Sequence, residues 1–354
     1  MWRRHAINCF KEKGIDGHIL HFINNLLTNR KFTVRQSNIL SSEFSLENGV
    51  HQGGCLSSDI FNVAIDGVLS VIHPPVMGAL FADDLVLLCK GKNINNIFVH
   101  IQHTLNSVNK WLINRGFKIS TPKTLGVIFS KRMQNHNNNI FIDGNPIALK
   151  DSTKYLGLTF DQKLNWIKHL KNIKKDCAQG LNILKSISNT SWGADRSSML
   201  MLYKSLVRSK LEYGAVAYST ASERSLQILD PIHNSGIRIA TGAFMSSPII
   251  SLYAESGEKP LALRRQQLIA STYIKIMTKL NHPLEDHFNS IQRVGHRFNL
   301  HSSFYTISDT LMETIEFDKK LLHNNHILPS HRGLYRDQLY VSNLRNYLKK
   351  KLTL

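Results

Sequence analysis

The sequence predicts an α+β fold, in which a mixed half of helices and strands precedes a mostly helical half. Up to about residue 160, apolar residues change repeatedly between the three-to-four-residue spacing of a helix and the alternation of a strand. Beyond that point the helical spacing dominates. The 354 residues allow roughly two or three domains, and the change of pattern places a boundary near residues 150–162.

The first elements are helices around a strand pair. Residues 1–30 carry apolar side chains at helical spacing, and residues 31–48 alternate about a polar turn at Ser37-Asn38. Residues 49–72 begin with glycines and continue as a helix, which ends at His73-Pro74-Pro75 because proline lacks an amide hydrogen. The apolar face of this helix contains Leu56, Ile60, Val63, Ala64 and Val68.

The next elements lead to the boundary. Two short apolar strands within residues 77–91 flank a tight turn that contains Asp83 and Asp84. Residues 94–115 are predicted to form a helix, and residues 117–129 return to a strand pattern, interrupted at Thr121-Pro122-Lys123. Asp143-Gly144 is typical of a hairpin turn. The inward face of the helix consists of Ile94, Ile97, Ile101, Leu105, Val108 and Leu112.

The second half begins with an amphipathic helix between Trp166 and Lys185. Its apolar face contains Ile167, Leu170, Ile173, Cys177, Leu181 and Leu184. Four lysines occupy its other positions, namely Lys168, Lys171, Lys174 and Lys175. Further helices are predicted at 197–212, 223–241 and 262–280, and from about residue 281 the chain is rich in His, Asn and Ser before a basic C-terminal helix.

The charge balance narrows the class of partner. Lysine and arginine number 44 against 25 acidic residues, a net charge of +19, which favours nucleic acid first and an anionic membrane second. The sequence has no apolar run long enough to span a membrane and no secretory signal, and its four cysteines form no close pair. We therefore expect an intracellular protein, nuclear and/or cytoplasmic, that is not secreted and has no membrane partner.

The strongest local signal for chemistry is the pair Asp83-Asp84 between two apolar runs. Adjacent carboxylates at a tight turn repel each other, and Mg²⁺ relieves this because it prefers oxygen ligands and shares its coordination shell with phosphates. Two such ions can activate a 3′-hydroxyl and stabilise a leaving pyrophosphate. The alternative is an ordinary hairpin turn with both carboxylates solvated.

Four segments, in order, resemble the reverse transcriptases of non-long-terminal-repeat retrotransposons, of the insect and invertebrate mobile-element type. Gly49-Val50-His51-Gln52-Gly53 resembles the G-V-P-Q-G motif, with His51 in place of proline. Phe81-Ala82-Asp83-Asp84 matches the F/Y-A-D-D motif, and Thr121-Pro122-Lys123-Thr124 is similar to the N-P-x-K-T stretch. Tyr155-Leu156-Gly157, with Asp161 and Trp166, resembles the primer-grip region. The likeness covers roughly residues 1–280.

The resemblance implies an RNA-directed DNA polymerase, which adds deoxynucleotide triphosphates to a DNA primer on an RNA template with two Mg²⁺ ions. It implies a partial polymerase palm, an antiparallel sheet with packed helices, at residues 1–155. A mostly helical thumb follows at 156–280, and 281–354 is an extension of unknown role.

The family's functional residues carry over at matching positions. Asp83 is expected to bind metal directly, and Asp84 is its acidic partner with a less direct role. Gln52 and Gly53 are expected to lie beside template and nucleotide, where Gly53 and Gly54 allow a close backbone approach. Lys123 is expected near the triphosphate. The lysines of the 166–185 helix fit a thumb helix that follows a phosphate backbone, although a solvated helix face explains them nearly as well.

The family's first catalytic carboxylate belongs to a D-x-x-x-A-F-D motif, and Met1-Trp2-Arg3-Arg4-His5 resembles the residues that follow it. We therefore expect a truncated copy or partial gene model, without the fingers region, that cannot polymerise alone. Two alternatives stay open: a non-catalytic, basic nucleic-acid-binding remnant, and a translation product with no stable fold.

Overall fold

A computed structural model describes residues 1–130, 138–189, 192–277 and 284. The chain divides into two compact units, Met1–Asp151 and Ser152–Leu354. Helices and strands are mixed in the first unit, and the second unit is mostly helical, as the α+β prediction requires. No helix in the described ranges is long and apolar enough to cross a membrane. The predicted extension at 281–354 and the end of the predicted helix at 262–280 lie outside the described residues, except for Leu284.

Two helices begin the first unit, where the sequence predicts a helical segment at 1–30. Helix α1 spans Arg3–Glu12 and α2 spans Gly17–Leu27, and Gly14, with φ of +80°, lies between them. Their apolar faces pack in one core with helix α3, which spans Ser57–Ile65. The buried members of that core are Ala6, Phe10, Ile23, Leu27, Ile60 and Ala64.

The predicted strand pair at 31–48 is confirmed as a long hairpin. Strands β1 (Arg30–Phe32) and β4 (Phe44–Leu46) pair antiparallel at its base, and β2 (Arg35–Gln36) pairs with β3 (Ile39–Leu40) near its tip. Gln36 pairs with Ile39, so Ser37 and Asn38 form the turn. The φ of Ser37 is +53°.

The predicted helix at 49–72 is shorter and less regular than expected. Helix α3 spans Ser57–Ile65 and continues as a 3-10 helix over Asp66–Val71. Ile60, Ala64 and Val68 of the predicted face are buried, but Leu56 is exposed because it lies in the loop before the helix. The helix ends before His73-Pro74-Pro75, as predicted.

Strands β5 (Val76–Phe81) and β6 (Asp84–Cys89) form the predicted apolar hairpin. Helix α4 (Ile94–Ile113) follows, and the side chain of Asn93 caps it by accepting a hydrogen bond from the Asn95 amide. Leu105, Val108 and Leu112 of the predicted inward face are buried, and the remaining members are half-buried. The helix therefore contributes the main support for the hairpin.

The predicted strand at 117–129 is mostly absent. Only β7 (Leu125–Gly126) forms, and it pairs in parallel with β10 (Ala148–Leu149). Pro122 directs the preceding chain into a 3-10 turn at Thr121–Lys123, because proline cannot donate to a strand ladder. The hairpin of β8 (Phe141–Ile142) and β9 (Asn145–Pro146) is confirmed, with Asp143 and Gly144 both at positive φ, the sign pattern of a type I′ turn.

The second unit begins with the hairpin β11 (Ser152–Tyr155) and β12 (Leu158–Asp161) and continues with helix α5, Ile167–Ile187. The buried positions of α5 are as predicted, except that Ile167 at its first turn is partly exposed. The other helices are α6 (Arg196–Tyr203), α7 (Ser209–Glu212), α8 (Ala215–Tyr218), α9 (Glu223–Leu226), α10 (Asp230–Thr241), α11 (Ile249–Ser256) and α12 (Leu261–Met277). A π turn over Lys204–Arg208 joins α6 to α7. One core unites these helices, with Leu170, Cys177 and Leu184 fully buried at its centre.

Candidate active-site hairpin

The two predicted catalytic carboxylates lie at the tip of the β5–β6 hairpin. In its antiparallel register Phe81 pairs with Asp84, so Ala82 and Asp83 alone form the loop. Asp84 is the first residue of β6. The structure therefore places both residues at the tip of the hairpin, Asp83 in the loop and Asp84 at the first position of β6.

One face of the hairpin is anchored in the core of the first unit. Leu80 and Leu85 pack against Trp111 of α4 and its neighbours, and Leu87 packs into a second apolar cluster of the same helix. Gly78 permits a close approach on this face, because a Cβ there would lie 2.4 Å from Cδ1 of Ile72. These contacts hold the strands, and hence the acidic tip, in a fixed position.

The loop at the tip is backbone-strained. Ala82 has a φ of +51°, whereas the first loop residue of a tight hairpin with that sign of φ is usually glycine. A non-glycine residue held in a left-handed conformation costs about 1–3 kcal/mol and persists only where the surrounding structure enforces it. The register of six paired positions along β5 and β6 provides that constraint.

The hairpin tip offers the oxygen donors that Mg²⁺ prefers, but it offers too few ligands for a complete coordination shell. Asp83 and Asp84 are exposed and make no hydrogen bond or ion pair with the described part of the chain, so their oxygens are free for a hard cation. Among the described residues, however, no group of three or more His, Cys, Asp or Glu side chains converges as a metal site. The carboxylates could supply part of a coordination shell, and another ligand set must complete it.

The glycine-rich loop is exposed and leads into α3. Gln52 and Gly53 lie in a turn before the helix, and no atom of the described residues, apart from the chain neighbours of Gly53, lies within 4 Å of a Cβ placed on it. Gly53 has a φ of +86°, a conformation that favours glycine. The next glycine, Gly54, is constrained differently, since its Cβ would lie 2.6 Å from the Ser57 hydroxyl. The loop therefore presents open backbone to solvent.

Arg30 supports this loop, and the sequence analysis gave it no role. It is 5% exposed at the start of β1. Its Nη2 donates to the carbonyls of Asn48 (3.2 Å) and Gly49 (2.9 Å), and its Nε donates to the Leu27 carbonyl (3.2 Å). Nothing in the local pattern distinguishes Arg30 from a solvated strand cation, because the Asn48 and Gly49 carbonyls lie on a turn that is distant in the sequence.

Lys123 ends the 3-10 turn before β7. Its amide donates to the Ser120 carbonyl (3.0 Å), while its side chain is exposed and makes no hydrogen bond or ion pair with described residues. No hydrogen bond or ion pair among the described residues joins Asp83, Gln52 and Lys123 to one another. Their convergence on one substrate therefore stays a prediction.

The segment from Tyr155 to Trp166 has a structural explanation in the second unit. Leu156 and Gly157 form a two-residue turn with φ of +44° and +80°. The buried Asp161 carboxylate accepts hydrogen bonds from the amides of Trp166 (2.9 Å) and Asn165 (3.2 Å), which fixes the start of α5. The Trp166 indole N–H donates to the Thr220 hydroxyl (2.9 Å).

The four predicted backbone-binding lysines are all exposed on α5. Lys168, Lys171 and Lys175 follow one another at three- and four-residue spacing and share a stripe, whereas Lys174 lies to one side of it. Lys168 donates to the Ser152 hydroxyl at 3.3 Å. The stripe is therefore a free basic surface, which suits a phosphate backbone and a solvated helix face equally.

Comparison with known families places this geometry in a class. Residues 2–160 match the family model of reverse transcriptase (RNA-dependent DNA polymerase). The matched stretch contains the acidic hairpin tip, the glycine-rich loop and Lys123. This stretch of the chain is therefore similar to a reverse transcriptase domain.

Individual relatives narrow the class further. The chain is 26% identical to the RNA-directed DNA polymerase from mobile element jockey of Drosophila melanogaster over 233 residues, 62% of this chain and 25% of the relative. It is 24% identical to the probable RNA-directed DNA polymerase from transposon X-element of the same species over 223 residues, 61% of this chain and 24% of the relative. It is also 26% identical over 153 residues to a Pol polyprotein from type-1 retrotransposable element R1 3 of Nasonia vitripennis, 42% of this chain and 40% of the relative.

These relatives confirm the resemblance predicted from the motifs. The chain is related to the reverse transcriptases of non-long-terminal-repeat retrotransposons. It spans about a quarter of the length of the jockey and X-element proteins.

Proposed function

We propose that this chain supplies the Asp83–Asp84 part of the catalytic centre of an RNA-directed DNA polymerase. The observation that carries the proposal is a pair of exposed carboxylates at a strained hairpin tip, without a hydrogen-bond or ion-pair partner in the described part of the chain and within the stretch that matches reverse transcriptases. The reaction is the addition of deoxynucleotides to a DNA primer on an RNA template. In this reading residues 1–155 are a partial palm, and residues 156–280 are a helical thumb.

Each proposed site residue has a distinct task. Asp83 and Asp84 would hold the metal, and two Mg²⁺ ions, when bound, supply activation of the primer 3′-hydroxyl and neutralisation of the leaving pyrophosphate. Gln52 would position template and nucleotide, and the open backbone at Gly53 permits their close approach. Lys123, whose ammonium group has no ion pair among the described residues, would neutralise phosphate.

The α5 lysines would bind the backbone of the template–primer duplex. Lys168, Lys171 and Lys175 share one exposed stripe, and each phosphate contact of this kind makes binding weaker as salt rises. Lys174, outside the stripe, would contribute less.

We further propose that these 354 residues do not extend a primer by themselves. They contain no D-x-x-x-A-F-D segment, and no third acidic side chain joins the hairpin tip within the described ranges. A lost metal ligand removes several kcal/mol of transition-state stabilisation, and each 1.36 kcal/mol is a factor of about ten in rate.

A primer-extension assay with Mg²⁺ on an RNA template tests both statements. It compares this chain and a chain extended upstream by a D-x-x-x-A-F-D segment, each with and without Asp83→Ala. We expect incorporation only by the extended chain that retains Asp83. Incorporation by the unextended chain that Asp83→Ala abolishes would contradict the need for the upstream carboxylate, and incorporation that survives Asp83→Ala would contradict the proposed centre.

A second candidate function is non-catalytic nucleic-acid binding. The net charge of +19 and the exposed α5 stripe favour it. It predicts salt-sensitive binding to single or double strands, with no incorporation even by the extended chain.

A further inference from the structure

We propose that the first unit carries an additional nucleic-acid site, a cavity lined by Arg3, Arg4, Arg30 and Lys31 that binds the phosphate backbone of a single strand. This basic cavity has a volume of about 630 Å³, and none of the β5–β6 hairpin residues lines it. The identity of its ligand rests on the proposed function, since a polymerase holds nucleic acid. The cavity itself rests on independent geometry.

Two arginines in the basic cavity form no ion pair with a carboxylate of the described residues. Arg3 donates to the main-chain carbonyls of Glu47 (2.5 Å) and Leu46 (3.1 Å). Arg30 likewise donates only to main-chain carbonyls, and its Nη1 has no partner among the described residues. Carbonyls orient a guanidinium but do not neutralise it, so both charges remain available to an anion.

The burial of the Arg30 guanidinium beside Arg3 is energetically unfavourable, which favours an anion as the ligand. Arg30 is 5% exposed, and burial, followed by the charge of nearby Arg3, lowers its pKa from the ordinary value. A buried charge without a counter-charge is strongly unfavourable. A phosphate bound in the basic cavity would offset the repulsion between the two guanidinium groups.

Of the remaining cationic side chains, Arg4 adds to the positive potential, whereas Lys31 is largely neutralised. Arg4 is exposed and has no acidic partner in the described ranges, and Lys31 is paired with Glu43 at 2.9 Å. Glu47 is the acidic residue among the lining side chains, against four cationic ones. The excess of positive charge favours a polyanion over a neutral ligand.

An aromatic residue distinguishes a nucleic-acid strand from free phosphate. Trp2 lines the basic cavity and is 50% exposed. Its indole packs closely on Gly116, where a Cβ would lie 2.3 Å from Cδ1 of Trp2, so the ring is held in place. A fixed, partly exposed indole beside arginines is the arrangement on which an unpaired base stacks while its phosphates meet the cations.

The test measures binding of a short fluorescent single-stranded RNA to the full chain, without metal or nucleotide, at a series of salt concentrations. The Arg3→Gln/Arg4→Gln variant removes two cations and leaves Arg30 to support its loop. The Lys90→Gln/Lys92→Gln variant removes two exposed lysines that do not line the basic cavity. We expect the plot of log K for RNA binding against log salt concentration to become less steep in the first variant, its slope decreasing in magnitude by about two. The slope should stay unchanged in the second variant.

Tryptophan fluorescence provides a second readout. RNA is expected to quench this fluorescence in the wild type but much less in Trp2→Phe. The control is Trp192→Phe, which removes a tryptophan that is 67% exposed in the second unit and should leave the quenching intact. If both charge variants unfold thermally like the wild type and their salt slopes for RNA binding are equal, the proposal is overturned. Displacement of the RNA by equimolar inorganic phosphate or deoxynucleotide would also overturn it, in favour of a small-phosphate site.

The same measurements on Asp83→Ala separate this inference from the proposed polymerase function. We expect binding in the basic cavity to survive that substitution. If the slope change is observed but the extended chain incorporates no nucleotide, the basic cavity stands and the proposed catalytic centre fails.

Discussion

Replacing Asp161 by alanine tests whether its motif serves structure or chemistry. Asp161 is 6% exposed, and its carboxylate accepts the amides of Trp166 and Asn165 at 2.9 and 3.2 Å. Trp166 has a left-handed φ of +64° immediately before α5. The carboxylate therefore fixes an unfavourable backbone turn and satisfies donors that precede the helix.

The expected loss follows from these contacts. A net hydrogen bond to a charged group contributes about 1.5–3 kcal/mol, and a buried amide left without a partner costs about 1–3 kcal/mol. Because the Trp166 amide is buried and the Asn165 amide is only partly so, we expect Asp161→Ala to lower the free energy of unfolding by about 2–4 kcal/mol. Asp161→Asn keeps one acceptor oxygen and should lose about half of that.

Urea denaturation of the full chain, followed by far-UV circular dichroism and tryptophan fluorescence, measures this loss. Asp195→Ala is the matched control, because Asp195 also accepts two helix-start amides, those of Ser197 and Ser198, but is exposed. Its loss should be clearly smaller. Equal losses for the two variants would refute the reasoning that burial, rather than bond number, decides the cost.

The remaining predictions concern the core of the second unit. Burial lowers the pKa of His233 from 6.5, so its neutral form is favoured in the folded state. The contribution of the neutral imidazole to the free energy of unfolding is present above pH 6.5 and is lost as pH falls through the pKa of the folded state. Urea titrations at several pH values should detect this loss, and His233→Gln should abolish it. Gly236→Ala should destabilise the second unit by about 1–2 kcal/mol, because a Cβ there would lie 2.5 Å from the buried Tyr203 ring and overpacking outweighs the gain in helix propensity. A melting temperature above that of the wild type would contradict this expectation. Burial raises the pKa of Cys177 to about 11, so a thiol reagent should modify exposed Cys55 first and Cys177 only on unfolding, as mass spectrometry of timed samples would establish.

The sequence predicts elements whose signals are local. The hairpin tip at Asp83 follows from two apolar runs around a polar pair, and α5 follows from its apolar period. Long-range packing is not visible in such patterns. The strand predicted at 117–129 depends on a partner, and only Leu125–Gly126 finds one. The burial of Arg30 depends in part on the carbonyls of Asn48 and Gly49, which lie on one turn that is distant in the sequence.

The candidate site shows the same division. The motif residues at Gln52, Asp83 and Lys123 could be selected by order and spacing, and all three side chains are exposed. Sequence reasoning assigned Asp161 to a family motif but did not give its task, because a capping carboxylate is recognised only from the amides that it accepts. The strain at Ala82 likewise becomes evident only with the register of β5 and β6.

The most direct test of the central claim is single-nucleotide incorporation by the upstream-extended chain, with Asp83→Ala compared against Asp143→Ala. Both residues lie in exposed hairpin turns of the first unit, although Asp143 Oδ1 also accepts a hydrogen bond from the Asn109 side-chain amide (2.7 Å). The two substitutions therefore remove the same group from the same kind of turn. Loss of a metal ligand predicts a fall in rate of about a thousandfold for Asp83→Ala, and the Asp143→Ala rate should remain close to that of the parent. Equal rates for the two variants would contradict the assignment of catalysis to the β5–β6 hairpin.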